Sequence, residues 1–388
     1  MKSRTVHTVP VNVDANMSNH SNDGGSSRTF SGNFAAGETL YAGNDFHANV
    51  QNFGNSYNLH ISGHDSLLYY RRQLAESLYF PEMHARMNSL AESHSETFEW
   101  LFRNVSSKVG SNVRWDSFTE WLKDGEAMYL VEGKPGSGKS TLMKFIYNNT
   151  NLRTILPRSN GPHIFVICHF FWLAGTELQR SYKGLLANLL FQMVSHADDS
   201  AIEDVLTTSP NGSKRALCDW SESALEDLFF LLLSTVRIST VILIDGLDEL
   251  DQDDRPSRLV ALLKKLTSYP RLKVCVSSRP TLWLDQQLSS ANKLRLQDLT
   301  QSDILKYAGK VLQDEVDFHA SELENDEVMH LVREIQYKAE GVFLWVKYAV
   351  HSIGEGIKRH GRLLDLDGTA FRATQGHARV VRTYMAPA

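Results

Sequence analysis

The spacing of hydrophobic positions changes along the chain, and the changes mark out its elements. Across residues 65–102, Leu67, Leu68, Leu74, Leu78, Met83, Met87 and Leu90 recur at helical intervals broken near Pro81, which predicts two short helices meeting at that proline. A further helix is expected over residues 115–122. The pattern then turns to short apolar runs rich in β-branched residues, at 127–131, 163–172, 240–244, 272–277 and 293–296, which read as buried strands. Helical stretches at 182–196, 223–234 and 258–269 lie between them. This alternation predicts an α/β fold, a parallel five-stranded sheet with helices on both faces. Beyond Thr300 the strand pattern stops. Residues 302–313 and 326–353 read as helices, the second placing Ala339, Val342, Phe343, Val346, Val350 and Ile353 on one face, so a small helical domain is expected to follow the sheet. The expected division is a helical linker at 65–126, the sheet domain at 127–300, the helical domain at 301–361 and an unassigned tail at 362–388.

Residues 1–64 follow neither period. They are rich in Asn, Gly, Ser and His, with isolated aromatics and almost no aliphatic clusters, so no ordinary core is expected there. Gly-Asn recurs every eleven residues, at Gly32-Asn33, Gly43-Asn44 and Gly54-Asn55, with Phe34, Phe46 and Tyr57 close behind each pair. Two readings stay open. One is turn chemistry separating strand-length pieces that stack as a small β motif; the other is a disordered polar tail whose repeats arise from composition.

Composition narrows the chemistry. The chain has 388 residues, 42% of them hydrophobic, enough for at least one full core. A formal net charge of -5 supplies no basic footprint, so nucleic acid is not an expected partner. Cys168, Cys218 and Cys275 lie far apart with no CxxC pair, and are expected to be reduced, buried thiols. The N-terminus lacks the apolar run of a signal peptide, and no stretch reaches the roughly 18 apolar residues of a membrane helix. The run GVFLWVKYAV at 341–350 is short and contains Lys347, and so reads as a core helix. A soluble, cytoplasmic protein is the expectation.

Candidate chemistry sits where strands end. The string YLVEGKPGSGKSTLMKFI holds GxxxxGK[ST] from Gly133 to Ser140, after a predicted strand and opening a predicted helix. Gly136 and Gly138 allow backbone angles that turn successive N–H groups inward around a β-phosphate, and the helix N-terminus adds its positive end. Lys139 would carry charge to the β- and γ-phosphates, and the Ser140 hydroxyl would take one Mg²⁺ position. The nucleotide-binding run is thus Gly133, Lys134, Pro135, Gly136, Ser137, Gly138, Lys139, Ser140 and Thr141. In TVILIDGLDEL an apolar strand stops at Asp245, the second candidate Mg²⁺ residue, with Gly246 leaving room for the ion. Asp248 and Glu249 follow as candidates to orient or deprotonate an attacking water, although Asp251, Asp253 and Asp254 extend the charge run and would also suit a solvated loop. In LKVCVSSRP a strand ends in Arg279, which could point its guanidinium at the γ-phosphate or merely cap the strand.

These motifs, with HFFW, GLLANLLFQ, LQDLTQSDI and KAEGVFLWV in order after them, resemble the NACHT-type P-loop ATPases of fungal NOD-like receptors, a domain type also described as nephrocystin-like. The helical entry ESLYFPEMHARMNSLAESHSETFEWLF is similar to the segment preceding that module. The resemblance spans residues 67–356. It implies a P-loop NTPase fold and a signal-transduction ATPase of fungal innate immunity and heterokaryon incompatibility: a closed diphosphate-held monomer, an open triphosphate-held homo-oligomer and slow hydrolysis of ATP, or GTP, with Mg²⁺ as reset. No repeat of 30 to 45 residues follows, unlike such receptors. HANVQNFGNSYN resembles only loosely the amyloid signalling motifs that some of them use, which suggests a downstream amyloid-type partner through residues 29–63. The alternative is an adaptor whose nucleotide is structural. A small-molecule P-loop kinase is less well matched, since no Arg-rich lid follows the sheet.

Overall fold

The computed structural model describes residues 28–33, 49–53, 56–61 and 63–360, apart from 104–114, 125, 157–163, 209–213, 236–238, 255, 270 and 319–324. The Gly-Asn pairs at 43–44 and 54–55 and the tail after residue 360 lie outside the described residues. The chain forms two compact units, Met1–Phe80 with Leu190–Val236 and Pro81–Leu189 with Arg237–Ala388.

In the first unit, strands β1 (Arg28–Asn33), β2 (Asn49–Phe53) and β3 (Ser56–Ile61) pair antiparallel in the order β1-β3-β2, with Gly32 opposite Tyr57 and Phe53 opposite Ser56. These three strands pair within the chain. The unit also holds the helices Gly63–Leu78, Asp199–Thr208 and Glu222–Thr235. Trp220 is buried and donates its indole N–H to Ser77 Oγ at 3.2 Å, and Arg71 pairs with Asp199 at 2.6 Å. The helix at Asp199–Thr208 is not expected from periodicity because only Ala201, Ile202 and Val205 are buried; Asp198 Oδ1 starts it by accepting from Ala201 N at 2.8 Å. Cys218 is exposed, against expectation: in the turn Leu217–Asp219 it is Leu217 that is buried.

The second unit is built on a parallel sheet of β4 (Met128–Glu132), β5 (Phe165–Phe170), β6 (Thr240–Asp245), β7 (Leu272–Ser278) and β8 (Asn292–Arg295), in the order β5-β6-β7-β4-β8. Every residue of β4 and β6 is buried, as their unbroken apolar runs require. Alternate side chains divide between the faces. Tyr129, Val131, Val166, Cys168, Val241, Leu243 and Cys275 join Phe118, Trp121, Leu142, Met143 and Ile146 in one core, while Leu130, Ile167, Ile242, Ile244, Val274 and Val276 are buried on the other side. Burial raises the Cys168 thiol to about 12 and pushes Cys275 higher still, so both behave as apolar packing groups.

Several elements depart from the sequence reading. The linker has the two helices expected on either side of Pro81, Gly63–Leu78 and Ala85–Ser89, but adds a 3-10 turn at Glu99–Phe102, and Leu296 opens a short helix instead of closing β8. Short helices at Thr150–Ile155 and Leu282–Gln287 are additional. Helix α1 (Lys139–Asn148) follows β4. After the sheet come α2 (Gln301–Phe318), α3 (Asn325–Ala339) and α4 (Phe343–His360), packed around Ile304, Leu312, Val332, Ile335, Val346 and Ile353. The single helix expected over 326–353 is thus two. The chain breaks at Glu340 and Gly341, with φ of 46° and 78°, left-handed backbone that an α-helix excludes.

A Cβ on Gly341 would lie 2.4 Å from Gln297 O, whereas one on Gly309, inside α2, would meet nothing within 4 Å. Gly341→Ala is therefore expected to destabilise the protein by about 1–3 kcal/mol and Gly309→Ala to stabilise it by roughly 0.5–1 kcal/mol. Thermal unfolding followed by circular dichroism should move the two midpoints in opposite directions.

Candidate functional site

Register sets the site. In the parallel ladder Asp245 pairs with Phe170 and Glu132 with Ser278, so β4, β5, β6 and β7 end at one edge. Gly133 leaves β4 there and donates its N–H to Ser278 O at 3.2 Å. The next residues double back through Gly136 and Gly138, at φ of 71° and 100°, and α1 starts at Lys139. Side chains at either glycine would hold the loop in strained backbone. The Lys139 ammonium folds into the loop and donates to Gly133 O at 2.8 Å and Lys134 O at 3.2 Å. Burial lowers its pKa, and the charges of Asp248 and Asp245 oppose that shift. Pro135 and Thr141 flank the turn in half-exposed positions.

Asp245 ends β6 and is buried. Burial pushes its carboxyl upward; hydrogen bonds from the Ser140 and Ser277 hydroxyls and the charge of Lys139 act in the other direction. Ser277 Oγ also accepts from Gly246 N at 3.0 Å. Gly246, at φ 75°, then starts a 3-10 turn over Leu247–Glu249, closed by Glu249 N to Gly246 O at 2.8 Å. Asp248 is bound by Arg279 twice, from the backbone N–H and from Nε, both at 2.9 Å. Glu249 Oε2 accepts from Leu173 N at 3.0 Å, and burial raises its pKa.

All the residues singled out by the motifs therefore lie around one sheet edge, with two differences from expectation. Arg279 is engaged by Asp248. The loop after Asp245 is a closed turn that fixes Asp248 and Glu249 in place. Two of the further acids are engaged while Asp253 is exposed: Asp251 pairs with Arg180 at 3.1 Å, and Asp254 Oδ2 accepts from Tyr182 N at 2.6 Å, at the start of the helix Tyr182–His196.

Other contributors were not read from the motifs. Ser277 is one, although two serines closing an apolar strand could have signalled a polar partner for a buried acid. The turn between α3 and α4 is another. Leu344 N donates to Gly136 O at 2.9 Å, Lys134 Nζ donates to Glu340 O at 3.2 Å, and Lys134 N donates to Gln297 Oε1 at 3.3 Å. Phe98, at φ 64°, is held by Asp303 Oδ2 and lies 3.6 Å from where a Cβ on Gly138 would be.

The residues suit a phosphate. The Ser137 hydroxyl is buried without a hydrogen-bond partner, and a Cβ on Gly133 would come within 2.5 Å of it, so the loop keeps a narrow cradle that only glycine leaves open. The donor set also suits a small divalent cation: the Ser140 hydroxyl and the Asp245 carboxylate are hard oxygen ligands one hydrogen bond apart.

Residues 96–279, just under half of the chain, match the family described as nephrocystin 3, N-terminal. No curated protein matches the chain. Among solved structures, Cdc6p from Pyrobaculum aerophilum is similar at 12% identity, covering 68% of this chain and 66% of that one with a TM-score of 0.35. A metal-chelate-type ABC transporter in an inward-facing conformation is similar at 19% identity, over 44% of this chain and 68% of its own, with a TM-score of 0.26. An ATP-binding cassette protein in a dimeric post-hydrolysis state, bound to ADP and Pi, shares 15% identity over 46% of this chain and 80% of that one, with a TM-score of 0.25. The parallel sheet places β7 between β4, which leads into the GxxxxGK[ST] loop, and the acid-bearing strand β6. Among the described residues no helix is long and apolar enough to cross a membrane.

The unpartnered Ser137 hydroxyl is a cost to the ligand-free protein of about 1–3 kcal/mol. Ser137→Ala is therefore expected to leave ligand-free stability unchanged or raised in urea unfolding; a loss above about 1 kcal/mol would mean that the hydroxyl has a structural partner.

Proposed function

We propose that this chain is a nucleotide-dependent signalling switch that binds ATP or GTP with Mg²⁺, hydrolyses it slowly and forms a homo-oligomer in the triphosphate state. The observation that carries the reading is the Lys139 ammonium turned into a glycine-built loop beside the linked Ser140 and Asp245. On binding, Lys139 would exchange the carbonyls of Gly133 and Lys134 for β- and γ-phosphate oxygens, while the loop N–H groups and the start of α1 face the same charge. Ser140 and Asp245 would hold Mg²⁺, which supplies charge neutralisation on the phosphates. Glu249 and Asp248 are the carboxylates available to orient water, and Arg279 would have to leave Asp248 to reach the γ-phosphate. The resemblance to NACHT-type ATPases of fungal NOD-like receptors supports the switch, as do the hydrogen bonds between the P-loop and the α3–α4 turn, which give the helical domain a way to respond to the loop. The N-terminal segment, residues 29–63, would then be the signalling contact, with an amyloid-type partner. A second reading, an adaptor with a structural nucleotide and little hydrolysis, is favoured by Arg279 being committed to Asp248.

Gly246 occupies the place directly after the acid, so the nearest carboxylates begin three residues on and water is less directly held. Turnover is expected on the scale of intrinsic switch GTPases, well below the roughly 1–100 per second of kinases. Lys139→Ala should abolish triphosphate binding in calorimetry with the fold intact. Asp248→Asn and Glu249→Gln should retain binding, slow single-turnover hydrolysis and raise oligomer size in light scattering. Wild-type affinity in the lysine variant would refute the site, and a rate above about ten per second would refute the switch.

A further inference from the structure

Arg86 lies in the short helix Ala85–Ser89, more than fifty positions before Lys139 and outside every motif of the site. The segment that carries it is tied to the sheet unit at several points. Gln179 Nε2 donates to Glu82 O at 3.0 Å, Asn188 Nδ2 donates to Met83 O at 3.3 Å, and Lys144 Nζ donates to Leu90 O at 2.7 Å. Met87 Sδ meets Cys168 Sγ at 3.6 Å, on strand β5. With its backbone fixed in this way, Arg86 lays its guanidinium over the Trp172 ring, Cζ 5.7 Å from the ring centroid. Its Nε is buried and has no hydrogen-bond partner.

Trp172 stands between the two residues that hold the acids. Phe171 N donates to Asp245 O at 3.0 Å, and Leu173 N donates to Glu249 Oε2 at 3.0 Å. Arg86 thus approaches the end of β6 from the β5 side, while Arg279 approaches it from the β7 side. Arg279 neutralises Asp248 directly. Glu249 accepts from a backbone N–H and has no cation within ion-pair distance among the described residues, and the positive charge of Arg86 is the first among side chains to counter its burial.

We propose that Arg86 is a positioning residue of the hydrolytic site, supplied in cis by the linker, whose stacking on Trp172 fixes the strand end from which Leu173 N–H holds Glu249 aimed for the attacking water. This rests on the nucleotide-switch reading above. In the step concerned, the water oxygen forms a bond to the γ-phosphorus and the bond from that phosphorus to the bridging oxygen breaks. The electron pair leaves on the diphosphate, and the water's proton passes to Glu249. Arg86 touches none of the reacting atoms and acts through Glu249. Its position in the linker also makes hydrolysis depend on how the segment before the sheet is seated.

The test is single-turnover hydrolysis of γ-labelled MgATP and MgGTP by the full chain, with affinity measured separately. Arg86→Met, which keeps bulk and removes charge, should slow hydrolysis about tenfold or more while affinity changes less than about threefold. Arg86→Lys should recover most of the rate, and Arg86→Met should add no slowing in a Glu249→Gln background. Should the Met variant fail to fold by circular dichroism, Arg86→Gln takes its place in the same cycle. Equal losses in the Met and Lys variants, or the same slowing factor with and without Glu249, would overturn the proposal and make Arg86 a packing residue. Normal wild-type turnover with an unaffected Arg86→Met overturns this proposal alone, whereas binding without any wild-type turnover overturns the hydrolytic reading together with it.

Discussion

Asp245 carries a carboxylate at the end of a strand in which every residue is buried, where water cannot solvate it. An ionised acid in such a place costs several kcal/mol unless donors surround it, and the site is arranged accordingly. Ser277 comes from the neighbouring strand, and Ser140 and the Lys139 charge from the first turn of α1. Each can reach Asp245 only because β7 lies beside β6 and β4 lies beside β7, so the strand order and the constellation are one constraint. Gly246 follows because Asp245 is at the very edge: the chain must turn at once, and it does so through left-handed backbone.

Contacts between the P-loop and the α3–α4 turn are of a different kind. The Lys134–Glu340 ion pair is well exposed and worth at most about 1 kcal/mol. The backbone bond from Leu344 to Gly136 adds a similar amount. Interactions this small, made to the loop that would have to rearrange around a phosphate, suit a joint that changes with the ligand. The cores on either side, around Leu142 and Ile146 and around Leu312 and Val332, are much larger and would move as bodies.

Most of the sheet was legible because a strand buried on both faces leaves an unbroken apolar run, and such runs at 127–131, 240–244 and 272–277 lie within or next to β4, β6 and β7. The loop after β4 was legible because phosphate cradles need glycine where φ is positive, and Gly136 and Gly138 have that backbone. The break at Glu340 and Gly341 was not, since Ala339, Val342, Phe343 and Val346 keep a helical phase across it. The charge run after Glu249 was equally compatible with a solvated loop; Arg180 and Tyr182, the partners of Asp251 and Asp254, lie some seventy positions earlier, and local pattern carries no trace of them. Arg86 was hidden for the same reason. A cation on a short helix looks like surface until the fold shows that it lies over Trp172.

The central claim is that the loop around Lys139, with Ser140 and Asp245, holds a nucleotide. It is tested most directly by chromatography of whatever the purified, gently handled full chain releases on denaturation, after incubation with MgATP or MgGTP and removal of the free nucleotide. The account predicts close to one adenosine or guanosine di- or triphosphate per chain. A well-folded chain that releases none after either incubation would contradict it.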